Sequence, residues 1–194
     1  MTLREVVLLS LLGAALAFYK GTFRLSLDLP GHSGVVWMAI MTLGKLSVPG
    51  PASGTLMGTV AGLLAAFSGQ GKEGPLVALK HIFPGLTLDL LTAAWPQGSR
   101  IYPGIALEGA VAHLTKLAAS YVGGVILGVP RGFLVLGLST SAVTHTLFGA
   151  AGACLGLFIF NRLQRTGLFR QKPDIPPADD VSDSCRGRAR CREI

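Results

Sequence analysis

The sequence predicts an all-α, polytopic membrane protein: a compact bundle of six transmembrane helices with both termini in the cytoplasm. Three observations predict it. Half of the 194 residues are hydrophobic and only 14% are charged, whereas a soluble domain typically carries about 25% charged residues. Mean hydropathy is accordingly +0.55. The missing charge is replaced by Leu, Ala, Val and 26 glycines, and Gly is more frequent in membrane helices than in soluble ones. Finally, apolar segments close to the length of a bilayer crossing recur along the chain, separated by Pro and Gly.

The elements follow in order. In the first span, 3–19, Arg4 precedes an apolar stretch in the manner of a signal peptide, but no small-residue cleavage site leads into a polar mature region, so it is read as a helix. Its Gly13 and Ala17 form a small-xxx-small pair with Ala14 alongside. Pro30-Gly31 makes a turn before the second span, 33–48, where Ser33 is placed to cap the helix. Pro49-Gly50-Pro51 separates it from the third, 53–69. These two spans are short for a bilayer. In the third, Gly54, Gly58 and Gly62 recur every four residues and share one face, which admits a second helix at close range. The fourth span, 75–95, follows Gly74-Pro75. The fifth, 103–128, follows Pro96 and Pro103-Gly104, and the sixth, 133–161, follows Pro130. Gly124 with Gly128, and Gly152 with Gly156, repeat the close-packing spacing.

Residues 1–162 therefore form a six-helix transmembrane domain. Residues 163–194 are a different material, rich in Pro and mixed charge and unable to bury enough surface to fold alone; a disordered cytoplasmic tail is expected. Cys185 and Cys191 in it read as free thiols, and Cys154 as a packing residue of the last span. Arg162, Arg165, Arg170 and Lys172 follow the last span and place the C-terminus inside; Lys20, Arg24, Lys72 and Arg131 then fall outside, against the rule. The net charge of +7 sits mostly on these flanks and the tail. The bilayer is the expected partner, and no nucleic-acid-binding domain is implied.

The informative residues are the polar ones inside apolar spans. A charge at the bilayer centre costs at least about 2.5–3.5 kcal/mol, so such groups usually face a cavity or a partner. Lys80 and His81 lie in the outer half of the fourth span, where Pro84-Gly85 is expected to bend the helix. Lys116, Ser120 and Tyr121 lie in the fifth, together with His113. Ser139, Thr140, Ser141, Thr144 and His145 lie in the sixth. Together these groups have the composition of a ligand pocket open to the outside. His32 and Trp37, in and after the first outer loop, are placed to cover its mouth. Each has a plainer alternative: Lys80 can snorkel to the interface, Trp37 can be an interfacial anchor, and His145 can be a satisfied core histidine. Asp89 and Glu108 read as structural, paired with Arg100 or backbone. The excess of bases suggests an acidic or hydrogen-bond-rich small molecule. No catalytic residue and no metal site is assigned.

The six short helices, the small-residue pair of the first span and the closing stretch "THTLFGAAGACLGLFIFNRLQRTGLF" resemble the substrate-binding S components of energy-coupling factor (ECF) transporters, over roughly residues 1–168. Phe148-Gly149, Gly152, Gly156 and Asn161-Arg162-Leu163 carry the likeness best. The resemblance implies a multi-pass subunit of a prokaryotic plasma membrane. It would capture a vitamin or related micronutrient from outside and dock, through Gly13, Ala14 and Ala17, on a shared transmembrane coupling protein served by two ATPases. Gly13 stands where the family usually has alanine. ATP then belongs to the partners, and this chain needs no cofactor: "GQGKEGP" at 69–75 has a Lys but no following Ser or Thr. Two other readings differ in class. A rhomboid-like intramembrane serine protease would use Ser33 or Ser141 with a histidine, but Ser141 and His145 share one helix. A transition-metal uptake subunit would use the four histidines, which are scattered and lack an i,i+4 pair.

Overall fold

In a computed structural model of the chain, residues 1–22, 33–71, 74–130, 132, 135 and 138–166 are described. The described residues form six α-helices, two short 3-10 turns and no strand. The helices are α1 (Leu3–Thr22), α2 (Gly34–Ser47), α3 (Ser53–Phe67), α4 (Leu79–Ala94), α5 (Tyr102–Ile126) and α6 (Leu138–Arg165). Gly74–Ala78 is a 3-10 turn leading into α4, and Gly98–Arg100 is another ahead of α5. Two segments, Gly74–Ala94 and Leu138–Arg165, are long and apolar enough to cross a membrane by length and composition; α2 and α3 are shorter apolar helices. The chain divides at the end of α6 into Met1–Arg162 and Leu163–Ile194. The expectations for His32, the first outer loop and the tail beyond 166 fall outside the described residues.

Helix ends follow from local chemistry. Two helices stop on glycine. At the end of α5, Gly128 has φ +76°, its N–H donates to the Val125 carbonyl at 3.1 Å and the Val129 N–H donates to the Gly124 carbonyl at 3.0 Å. This is a Schellman closure, which needs the left-handed backbone that glycine adopts without cost. Gly128, expected to pack a neighbouring helix, is therefore a stop signal, and a Cβ there would touch nothing. Gly69 ends α3 the same way, with φ +66°. Ser33 stands at the N-cap of α2, but its helical backbone leaves the hydroxyl without a capping bond, so the expected cap is absent.

Packing is organised around α2. Its residues are buried on nearly every side, with Val36 alone classed as exposed, the pattern of a helix surrounded by others. It contacts α1, α3, α4 and α5, and α6 closes on it through glycine: a Cβ on Gly156 would stand 2.7 Å from the Ala39 carbonyl oxygen, and one on Gly152 would stand 2.7 Å from the Met38 Cβ. The apolar core joins Leu9 and Leu16 of α1, Trp37, Met38 and Met41 of α2, Met57 of α3, Leu88 of α4 and Ala112 of α5.

The α3–α4 seam is tighter still. Gly54, Gly58 and Gly62 face Gly85, His81 and Ala78 of the opposite segment, backbone against backbone. A Cβ on Gly54 would lie 2.6 Å from the Gly85 carbonyl oxygen and one on Gly62 2.7 Å from that of Ala78. The glycine stripe thus serves packing within the chain. Pro84-Gly85, where a bend was expected, lies buried inside α4, and Gly85 is what lets Gly54 approach.

The outer faces are apolar. α1 exposes Leu3, Val7, Leu11 and Phe18, and α6 exposes Val143, Leu147, Leu155 and Phe158, each set spaced by three or four residues or by a sum of such steps. The interior holds His81, Asp89, Glu108 and His113. Contiguous apolar faces of this kind mark surfaces that meet a membrane or a partner.

Candidate functional site

Two clusters of buried polar side chains stand out among the described residues. The first is built on Trp37, which sits on the central helix and is only 1% exposed. Its indole N–H donates to His81 Nδ1 at 3.2 Å, so His81 accepts at that atom and carries its proton on Nε2. The His81 ring stands tilted to the indole, centroids 5.7 Å apart. His113 of α5 lies on another side, 6.5 Å from the indole at 30°, and stacks in turn on His145 of α6 at 4.7 Å and 26°. Gly34 makes room: any side chain there would run into the His113 ring. The His113 Nδ1–H donates to the His145 carbonyl and the His145 Nδ1–H to the Ser141 carbonyl, both at 2.8 Å. Lys116, one turn beyond His113, holds its ammonium 4.3 Å from the centroid of a Trp37 ring. Four helices thus bring one indole, three imidazoles and one ammonium together.

Of the residues singled out from the sequence, Trp37, His81, Lys116 and His145 meet here. The interfacial-anchor alternative for Trp37 is removed by its burial. Lys80 is half-buried on a different side of α4 from His81. Tyr121 is half-buried near the far end of α5, and Thr140 is exposed. Thr144 donates to the Thr140 and Ser141 carbonyls of its own helix, and Ser141 reaches His145 through its carbonyl. The Ser141 hydroxyl is therefore not joined to His145 as a nucleophile would be to its base. His113, noted within its span but not assigned to the ligand, sits at the centre of the cluster; its spacing of three from Lys116 was the available signal.

The second group is an ion pair. Lys45 Nζ lies 2.6 Å from Asp89 Oδ1, the two residues being 7% and 3% exposed. The same ammonium donates to the Gly50 carbonyl at 2.7 Å. Asp89 also accepts from the backbone N–H of Gly54 at 3.0 Å, from the N–H of Thr55 at 2.7 Å and from the Thr55 hydroxyl at 2.7 Å. A carboxylate from α4 thereby satisfies the open donors at the start of α3, where the helix dipole favours negative charge, while Lys45 of α2 balances it. Asp89 was expected to pair with Arg100 or backbone; it does take backbone N–H groups, those of Gly54 and Thr55, and its charged partner is Lys45 rather than Arg100. Glu108, for which the same pairing was expected, accepts from the Ser99 hydroxyl at 2.6 Å.

Gly13 and Ala17, expected on a docking face, are turned inward. Both are buried, and a Cβ on Gly13 would stand 2.8 Å from the Met57 carbonyl oxygen of α3. Ala14 is half-buried. A partner approaching α1 therefore meets its other side, with Leu11, Ala15 and Phe18. Among the described residues no three His, Cys, Asp or Glu lie close enough to hold a metal ion. Comparison with family models, with curated proteins and with solved structures gives no match.

Proposed function

We propose that this chain crosses the membrane six times, with both ends in the cytoplasm, and is the substrate-binding subunit of an ECF-type uptake transporter, receiving a vitamin-sized molecule between its helices. The observation that carries the reading is the Trp37 cluster: an ammonium and two imidazoles drawn from α4 and α5 onto one indole of α2, with a third imidazole from α6 stacked on His113. Polar groups are costly in an apolar interior unless they are satisfied, and packing alone has no need to gather them from four helices at one point. Ligand recognition does, because a small-molecule site combines an apolar and aromatic lining with a few converging polar groups.

The surroundings support the membrane half of the reading. Glycine seams inside and leucine, valine and phenylalanine outside suit lipid rather than water. In this reading the ATPases and the coupling protein are separate chains, and α1 offers them the side bearing Ala15.

The test is native mass spectrometry of the detergent-purified protein. A bound small molecule at one per chain is expected, lost in the double variant His145→Ala with Lys116→Ala. Unchanged ligand affinity in that variant overturns the site.

A further inference from the structure

We propose that the captured molecule presents an amide-type edge, a carbonyl beside an N–H, to the start of α2: its carbonyl accepts from the open backbone N–H groups there, and its N–H donates to Nε2 of His113. The inference rests on the capture reading of the Trp37 cluster and adds the chemistry of the molecule captured. Of the acidic and hydrogen-bond-rich ligands suggested by the sequence, it selects the second.

The start of α2 is unfinished. Its first backbone bond closes at Trp37, whose N–H donates to the Ser33 carbonyl, so the N–H groups of Gly34, Val35 and Val36 stand ahead of the helix's own acceptors. Ser33, at the N-cap, makes no side-chain bond to them. At the start of α3 the same need is met by Asp89, which takes two backbone N–H groups and a hydroxyl; among the described residues no side chain does this for α2. Gly34 is nevertheless buried. A buried helix end without partners calls for acceptors from elsewhere.

His113 adds an acceptor at the same place. It is 1% exposed, and its Cε1–Nε2 edge lies against Gly34, where any Cβ would run into it. Its Nδ1 lies 2.8 Å from the His145 carbonyl. A carbonyl only accepts, so Nδ1 carries the proton and Nε2 presents a lone pair, to which no group among the described residues donates. A second proton, on Nε2, would set a charge against the stacked His145 ring and beside Lys116 on the next turn. Helix donors and an imidazole acceptor thus stand side by side. An ionised carboxylate suits the donors but sets its oxygen lone pairs against that of Nε2, and a buried polar atom left so is costly. A carboxamide, lactam or ureide carries both complements on adjacent atoms. Neither Lys116 nor His81 has to give up a contact to receive it.

The test uses the full chain in detergent micelles with Trp95→Phe, which leaves Trp37 as the sole tryptophan; Trp95 is exposed at the end of α4. His113 stacks on Trp37, so indole emission reports on the site. Emission is titrated with benzamide, with N,N-dimethylbenzamide, which keeps the carbonyl and loses the N–H, with benzoate and with benzylamine. Small molecules released on denaturation are identified by mass spectrometry. Benzamide is expected to bind about tenfold or more tighter than each of the other three. His113→Phe keeps a ring and removes the lone pair, and is expected to abolish that preference while eluting as the folded protein does; if the variant misfolds, the order of the four probes on the unsubstituted His113 decides alone. A co-purified carboxamide, lactam or ureide supports the same conclusion. Any of the other three probes binding as tightly as benzamide, a preference that survives His113→Phe, or a co-purified molecule with no N–H beside a carbonyl overturns the ligand class while leaving capture standing. No response to any probe together with no released molecule overturns capture itself.

Discussion

Asp89→Ala is the substitution with the largest expected effect on folding. The carboxylate receives four hydrogen bonds, one from Lys45 and three from Gly54 and Thr55. Truncation strands the Lys45 ammonium, which is 7% exposed, and reopens the first turn of α3. Removing one partner of a buried ion pair costs about 3–5 kcal/mol. Lys45→Met should cost less, about 1–3 kcal/mol, because Asp89 keeps its other three donors. In the double variant no cation is left stranded, so the total should fall short of the sum by about 1–2 kcal/mol. Reversible unfolding in mixed SDS micelles, followed by circular dichroism, measures all three. A cost below about 1 kcal/mol for Asp89→Ala, or two costs that add within about 0.5 kcal/mol, would refute the account of the pair as a clasp between α2, α3 and α4.

The same assay reads four further predictions. Gly58→Ala forces a methyl onto the His81 carbonyl and should destabilise by about 1–3 kcal/mol, whereas Gly123→Ala meets nothing within 4 Å and should gain up to about 1 kcal/mol of helix propensity; equal effects would contradict the seam. Thr42→Val should stabilise by roughly 1 kcal/mol, because the buried Thr42 hydroxyl has no hydrogen-bond partner among the described residues; a loss of stability would show that the hydroxyl is satisfied. Trp37→Phe removes the indole donor to His81 and should cost about 1–3 kcal/mol, a cost that Trp95→Phe should not share. Gly13→Val should destabilise the isolated chain by about 1–3 kcal/mol through its clash with α3; a variant of unchanged stability would return Gly13 to the surface.

The helices were legible because proline and glycine punctuate apolar runs. The segment expected over 53–69 is Ser53–Phe67, and that over 103–128 is Tyr102–Ile126. The glycine stripe at 54, 58 and 62 was legible as a packing face because spacing fixes which residues share a side. Spacing does not name the partner, however, so nothing on α1 announced that Gly13 would turn toward Met57. Polar residues in apolar runs pointed to His81, Lys116 and His145, since their cost demands a reason. Lys45 escaped notice: at the end of a span and beside "SVPGP", one lysine reads as a snorkelling residue, and its carboxylate is 44 positions away. Thr140 shows the converse, a polar side chain in the right segment but turned outward.

The contact between Gly54 and Gly85 has a mechanical consequence. Where two backbones touch with no side chains between them, no soft layer remains to absorb sliding, and interiors of this density transmit displacement instead. The pair α3 and α4 should therefore travel as one stiff plank, further riveted by Asp89 at its end. His81 rides on that plank while His113, Lys116 and His145 ride on α5 and α6, so any opening around Trp37 has its pivot on the α5–α6 side.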